Sequence, residues 1–181
     1  MKNKKCKVCS NSYAPTQPLQ RVCGVSCAIE YNHRVDANRA EKGRKKALRQ
    51  RKVALRPKGE WLRLTQVEFN KYIRARDADL PCISCGRHHT GQYHAGHYRT
   101  TAAQPALRFN EINCHKQCMP CNSHKSGNIT EYRINLAKKV GDDLVAWLEI
   151  DHPRTGAWTI PELQALRKYY REATKLLSAS A

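Results

Sequence analysis

Eight of the nine cysteines fall in four close pairs, and this spacing constrains the chain more than any other feature. Cys6-x-x-Cys9 is followed by Cys23-x-x-x-Cys27, and Cys82-x-x-Cys85 by Cys118-x-x-Cys121. Each pair presents two thiolates to one ion, so two pairs fill the tetrahedral shell of a Zn²⁺ and leave no open position. The sequence therefore predicts two structural zinc sites, each standing in for apolar core that its segment lacks. Such core is scarce, with 2 Phe and 40% hydrophobic residues. Cys114 is left over and reads as a buried thiol on a strand. No apolar run approaches the ~20 residues of a membrane span. Met1-Lys-Asn-Lys-Lys-Cys6 also lacks the apolar region of a secretory signal. The expected setting is a reducing cytoplasm, where paired cysteines hold metal rather than disulfides.

Charge adds a second constraint. The chain of 181 residues carries 33 Lys+Arg against 15 Asp+Glu, a net +18, and residues 1–58 hold 16 of those cations with 3 acids. The run from Asn38 to Lys58 is rich in Ala, Arg, Lys, Leu and Gln, all good helix formers, and meets Pro57 at its end. It predicts a helix from Ser26 to about Arg56, with Gly43 as its breaking point. A helix polar all round buries nothing, and cations this dense repel one another unless phosphates neutralise them. Arg44, Lys45, Lys46, Arg49, Arg51 and Lys52 are the expected nucleic-acid contacts. The plainer alternative is a solvated, solubilising arm.

The remaining elements follow from caps and periodicity. Thr65 and Glu68 make a capping box for a helix to Asp77, entered from Trp61-Leu-Arg-Leu64. From Cys82 to Asn128 the chain is short, polar and crowded with His, Cys, Asn and Gly, as expected of a small metal-organised ββ-helix unit. Helices are predicted over Ile129–Lys139, over Asp142–Ile150, and from a Thr159 cap with Glu162 to about Leu177, before a disordered tail Ser178–Ala181. The fold class is α+β, mainly helical. The expected divisions are a zinc-binding module at 1–30, a basic helix at 31–58, the metal-organised core at 59–141 and C-terminal helices at 142–181.

Three stretches of that core carry candidate chemistry: Tyr93-His-Ala-Gly-His97-Tyr98, Leu107-Arg-Phe-Asn-Glu-Ile-Asn113-Cys-His115, and Cys121-Asn-Ser-His124-Lys125. Together they resemble the HNH, or His-Me finger, nucleases. That resemblance implies a zinc-stabilised ββα-metal core with His97 as general base on the first strand. Asn113, five residues before Cys118, would orient the imidazole through its ring or backbone. Asn122, directly after Cys121, would hold a catalytic Mg²⁺ or Mn²⁺. Many members place Asp immediately before the base, whereas this chain has Gly96; His94 is the expected replacement, reaching the same side of an irregular strand. Arg99, Lys116 and Lys125 are candidate phosphate clamps. His115 and His124 are read as DNA contacts or helix caps at least as readily as contacts of the metal, and His88 and His89 as surface residues.

A wider pattern narrows the resemblance. Trp61, Leu64-Thr65, Phe69, Arg76-Asp77, Pro81-Cys82-Ile-Ser-Cys85-Gly86 and Ala95-Gly-His97-Tyr98 come first. Leu107-Arg-Phe109, Gln117-Cys118, Cys121-Asn122 and Ser126-Gly-Asn128 follow in order. The chain is similar to the NinG (Rap) recombination endonucleases of lambdoid phages. This implies a structure-specific nuclease acting on branched DNA, Holliday junctions and displacement loops included. It also implies a homodimer, to cut two strands about a near two-fold centre, and other phage or host recombination proteins as partners. The rival reading is a non-catalytic zinc-containing DNA- or RNA-binding protein. It explains the charge and the cysteines but leaves His97, Asn113 and Asn122 as coincidences.

Overall fold

The computed structural model describes residues 2–153 and 158–179. It divides into two compact units, Met1–Arg56 and Pro57–Ala181. The first opens with a minimal hairpin, β1 (Lys4–Lys5) antiparallel to β2 (Ser12–Tyr13), in which Lys4 faces Tyr13 and Lys5 faces Ser12. A loop then delivers the chain to α1 (Val25–Ala54), 30 residues with none buried. Gly43 does not break this helix: its cost of about 1 kcal/mol is spread over a run of strong helix formers. Ion pairs along the helix, Arg34–Glu30, Arg39–Asp36 and Lys45–Glu41, brace it from residue 30 to residue 45.

The second unit opens with α2 (Lys58–Arg76) and continues with β3 (Tyr93–His97) and β4 (Cys114–Cys118). It closes with α3 (Ile129–Val140), α4 (Asp142–Glu149) and α5 (Ile160–Ala179). The capping box expected at Thr65 is absent, because α2 begins seven residues earlier, after Pro57, and absorbs Trp61 to Leu64. Thr65 is instead fully buried in mid-helix. Its Oγ1 lies 2.9 Å from the carbonyls of both Trp61 and Leu163. That small hydroxyl lets α5 lie close along α2. Trp61, Phe69 and Ile73 meet Leu163 and Tyr170 there, with Phe69 and Tyr170 ring centroids 5.0 Å apart. The last helix, α5, thus closes the main core. A second cluster gathers Tyr98, Leu107, Tyr132, Leu136, Val145 and Leu148 around α3 and α4.

At α5 the capping box forms as expected, Thr159 N and Oγ1 donating to Glu162 Oε2 at 2.7 and 2.8 Å. The helix runs to Ala179, so Ser178 and Ala179 are helical rather than part of a disordered tail; residues 180 and 181 lie outside the described residues. Among the described residues no helix is long and apolar enough to cross a membrane.

Candidate metal centres and catalytic cleft

The eight paired cysteines converge as two groups, Cys6, Cys9, Cys23 and Cys27, and Cys82, Cys85, Cys118 and Cys121. Within each group the sulfurs all lie within 4.8 Å of one another. A tetrahedral zinc with Zn–S bonds of about 2.3 Å sets its sulfurs about 3.8 Å apart. The separations fit: 3.6 Å for Cys9–Cys23 and for Cys23–Cys27, and 4.0 Å for Cys85–Cys118. The knuckles also offer the N–H groups that thiolates need. Val8 N donates to Cys6 Sγ at 3.5 Å and Cys118 N to Cys82 Sγ at 3.3 Å. At Cys6 burial pushes the thiol up, but backbone N–H groups of Cys9, Val8 and Cys23 bring it down to about 6. At the other site the turn after Cys82 closes through Gly86, whose φ of +65° suits glycine and whose N–H donates to the Cys82 carbonyl at 2.9 Å. Both groups could hold zinc. His89, expected on the surface, is half-buried with Nε2 3.2 Å from Cys85 Sγ, while His88 is exposed.

The second group frames the antiparallel pair β3–β4, in which His97 faces Cys114, Gly96 faces His115 and His94 faces Gln117. This ladder has no bulge, so alternation puts His94 and Gly96 on one face and His97 on the other. The expectation that His94 and His97 share a side is therefore corrected. His94 occupies the face of position 96, and there its Nδ1 accepts from Asn122 Nδ2 at 2.9 Å. The structure also explains the absent acid. A Cβ at Gly96 would stand 2.0 Å from Gln117 Oε1 and 3.0 Å from Gln117 Cβ. Gln117 is 1% exposed and fixed by donating to Ser84 Oγ (2.6 Å) and the Gly127 carbonyl (2.5 Å), so it cannot yield cheaply.

On the opposite face the His97 ring stacks toward Phe69, centroids 5.9 Å apart, and its Nε2 donates to the Arg108 carbonyl at 2.9 Å. A carbonyl only accepts, so Nε2 carries the hydrogen and Nδ1 the lone pair. Nδ1 lies 3.7 Å from Cys114 Sγ, a thiol that complete burial pushes up and keeps protonated. Burial lowers His97 below the ordinary imidazole value of 6.5, favouring the neutral ring. Asn113 does not touch this ring. It is fully buried, with Nδ2 donating to the carbonyls of Arg99 (2.9 Å) and Leu107 (3.2 Å) and Oδ1 accepting from Arg99 N (2.8 Å). It clasps the two ends of the loop that carries the Arg108 carbonyl, and so positions His97 at one remove.

His97 and Asn122 open onto one cleft of about 580 Å³, shared with Arg99, Thr100 and Ser126. Arg99 points a partly spent guanidinium there: one NH2 is 3.7 Å from Asp151, while Nε is buried without a hydrogen-bond partner. Lys125 is exposed on the turn that follows Asn122, and His124 beside it is exposed too. Lys116 is not available to phosphate. It is 6% exposed, its Nζ donates to the Ala78 carbonyl at 2.6 Å and sits 4.5 Å over the Tyr93 ring. His115 is likewise no DNA contact but part of a buried hub. Its Nε2 donates to the Ile112 carbonyl, and its Nδ1 accepts from Arg76 (2.9 Å) and Lys139 (3.0 Å). Asp77 centres that hub, accepting from Arg76, Lys139 and Lys116 N. On the first unit, Arg44, Lys45, Lys46, Arg49, Arg51 and Lys52 all stand exposed on α1.

A family model described as "Bacteriophage Lambda NinG protein" matches residues 1–179. Protein ninG of Escherichia phage 933W is 41% identical over 192 aligned residues, covering 98% of this chain and 94% of its own length. Protein ninG of Escherichia phage lambda is 50% identical over 133 residues, 74% of this chain and 65% of its own. The ninG protein of Salmonella phage P22 is 49% identical over a span of the same coverage. No solved structure matches.

Proposed function

The chain belongs to the NinG family of lambdoid phages, and from that premise we propose that it is a structure-specific DNA endonuclease. Its substrates would be branched recombination intermediates, cut by divalent-metal-dependent phosphodiester hydrolysis on an HNH-like core. The observation that carries the reading is the shared cleft. His97, a neutral histidine with a defined tautomer, and Asn122, which also bonds to His94, line it beside the incompletely satisfied Arg99.

Hydrolysis needs an activated water, charge relief at the phosphate and a stabilised leaving oxygen. His97 takes the water's proton at Nδ1, the nitrogen its bond to Arg108 leaves free. The Cys114 thiol 3.7 Å from Nδ1 is only a weak donor and leaves that lone pair available. His94 and Asn122 fit a six-coordinate cation: adjacent ligands at about 2.1 Å from such an ion stand about 3 Å apart. In the structure Asn122 Nδ2 meets His94 Nδ1 at 2.9 Å, so an ion held by the pair would require the Asn122 amide to turn and present Oδ1. A bound Mg²⁺ or Mn²⁺ would supply Lewis-acid relief at the phosphate and at the leaving 3′ oxygen. An imidazole ligand in place of carboxylate favours Mn²⁺ over Mg²⁺. Arg99, held from behind by Asn113, gives the phosphate a second positive contact.

The test is a nicking assay on a four-way junction and a linear duplex, with and without Mg²⁺ or Mn²⁺. Metal-dependent nicks confined to the junction, lost in His97→Ala protein that still binds, support the proposal. Tight binding by the wild-type chain with no nicks under any divalent ion would overturn it in favour of a binding module.

A further inference from the structure

Leu19 is 88% exposed, more than any other large apolar side chain among the described residues. It follows Pro18 on the loop between the first two cysteine pairs, and that loop is not free to fold it away. Lys4 Nζ donates to the Pro18 carbonyl at 2.6 Å, and Tyr13 Oη to the Gln20 carbonyl at 2.8 Å. The Gln20 side chain accepts from Thr16 N at 2.8 Å and donates to the Val22 carbonyl at 2.9 Å. The tip is braced on both sides of Leu19, so the side chain is held in water at a loss of hydrophobic free energy that a slacker loop would recover.

Around this tip all charge has one sign. Residues 2–29 include Lys2, Lys4, Lys5, Lys7 and Arg21 and no Asp or Glu. The acids of the first unit, Glu30, Asp36 and Glu41, each lie beside an arginine of α1. Lys4, Lys5, Lys7 and Arg21 line a hollow of about 410 Å³ together with Pro18 and Leu19. A filled zinc tetrathiolate carries two negative charges, fewer than these cations balance. Lys4 and Arg21 donate to Pro18 and to Tyr31 Oη rather than to sulfur. A second copy of the chain is a poor occupant, because a two-fold contact would press the same cationic rims together.

We propose that this loop is a wedge for branched DNA. Leu19 seats against the unstacked bases of a branch point while Lys5 and Lys7 hold the flanking phosphates. The inference rests on the reading of branched DNA as the substrate and assigns recognition of the branch to the first unit. Apolar wedges enter DNA between base steps and must unstack a continuous duplex to do so. A branch point already exposes base faces, so Leu19 discriminates, whereas phosphate contacts are indifferent to structure.

The experiment uses the full zinc-loaded chain without added divalent metal, a four-way junction carrying 2-aminopurine at the branch, and a linear duplex of equal length. Wild-type protein should raise the fluorescence and prefer the junction. Leu19→Ala should abolish the rise and weaken junction binding roughly 10-fold, the scale of one lost leucine contact, leaving the duplex affinity unchanged. Lys5→Gln with Lys7→Gln should weaken both DNAs alike and flatten the salt dependence. Leu19→Ala protein that keeps its preference and its fluorescence rise overturns the wedge and leaves the nuclease proposal standing. Wild-type protein that binds neither DNA overturns both. A dimer that Leu19→Ala turns into a monomer of unchanged junction affinity gives the surface to a second copy and also overturns the wedge.

Discussion

The two cysteine groups offer the same four sulfurs to an ion from opposite kinds of surroundings. Cys82, Cys118 and Cys121 are buried around the end of β4, in a unit with two larger apolar clusters, whereas Cys9 and Cys23 are exposed and their unit has no cluster of buried apolar side chains among the described residues. One ion would lock a core that already exists; the other would be the core. The two sites should therefore differ in how fast metal escapes and in what is lost when it does.

The largest effect should come from removing a ligand. Structural zinc is worth about 10–16 kcal/mol in small modules, so Cys118→Ser should unfold the second unit and end cleavage. Cys23→Ser should unfold only the hairpin and leave the cleft intact. Elemental analysis should return two zinc per wild-type chain and one in the Cys23→Ser protein. A chromogenic chelator should draw zinc from the first site before the second. Simultaneous release would break the comparison.

His97→Ala should next cost ~10²–10⁴-fold in cleavage rate, the usual worth of a general base, with junction affinity unchanged. Because burial depresses His97, the wild-type rate should reach half its plateau below pH 6.5, the neutral ring being the active form. A half-point above 7 would refute the assignment of the base.

Asp77→Asn should destabilise the second unit by about 3–5 kcal/mol, the scale for orphaning buried partners, seen in urea melts as a shifted midpoint. Burial alone would raise the Asp77 carboxyl, but Arg76 and Lys116 N–H hold it well below the ordinary 3.8. That stabilisation is complete above pH 3.8 and fades as the pH falls below it, so wild type and variant should converge in acid. The smallest effect belongs to α1. Neutralising Lys46, Arg49 and Lys52 should reduce the log–log salt slope of DNA binding by about 3, near 0.9 per lost phosphate contact. Cleavage at saturating protein should not change.

How much of this the sequence discloses depends on whether the relevant partners lie near in the chain. The cysteine pairs and the Thr159–Glu162 cap are local patterns, and the structure assembles both. The β4 segment Cys-His-Lys-Gln-Cys has three polar residues at its centre, yet all five residues are buried. Each polar group there is satisfied by a segment distant in sequence: His115 by Arg76 and Lys139, Lys116 by Ala78, Gln117 by Ser84 and Gly127. No periodicity reports such pairings, and that is why Lys116 reads as a phosphate clamp. Asn113 illustrates the same limit. Its spacing from Cys118 marks it out, but only the folded loop shows that it grips Arg99 and Leu107 rather than the imidazole.

The contact between Gly96 and Gln117 bears on descent as well as on chemistry. An aspartate at 96 collides with a glutamine that two neighbours hold in place. Trimming Gln117 first takes a donor from Ser84 Oγ and leaves the Gly127 carbonyl only the 3.2 Å bond from Ser84 Oγ. Either change alone carries a cost, so positions 96 and 117 are coupled. Whether position 96 can carry an acid is thus decided by a residue on the neighbouring strand.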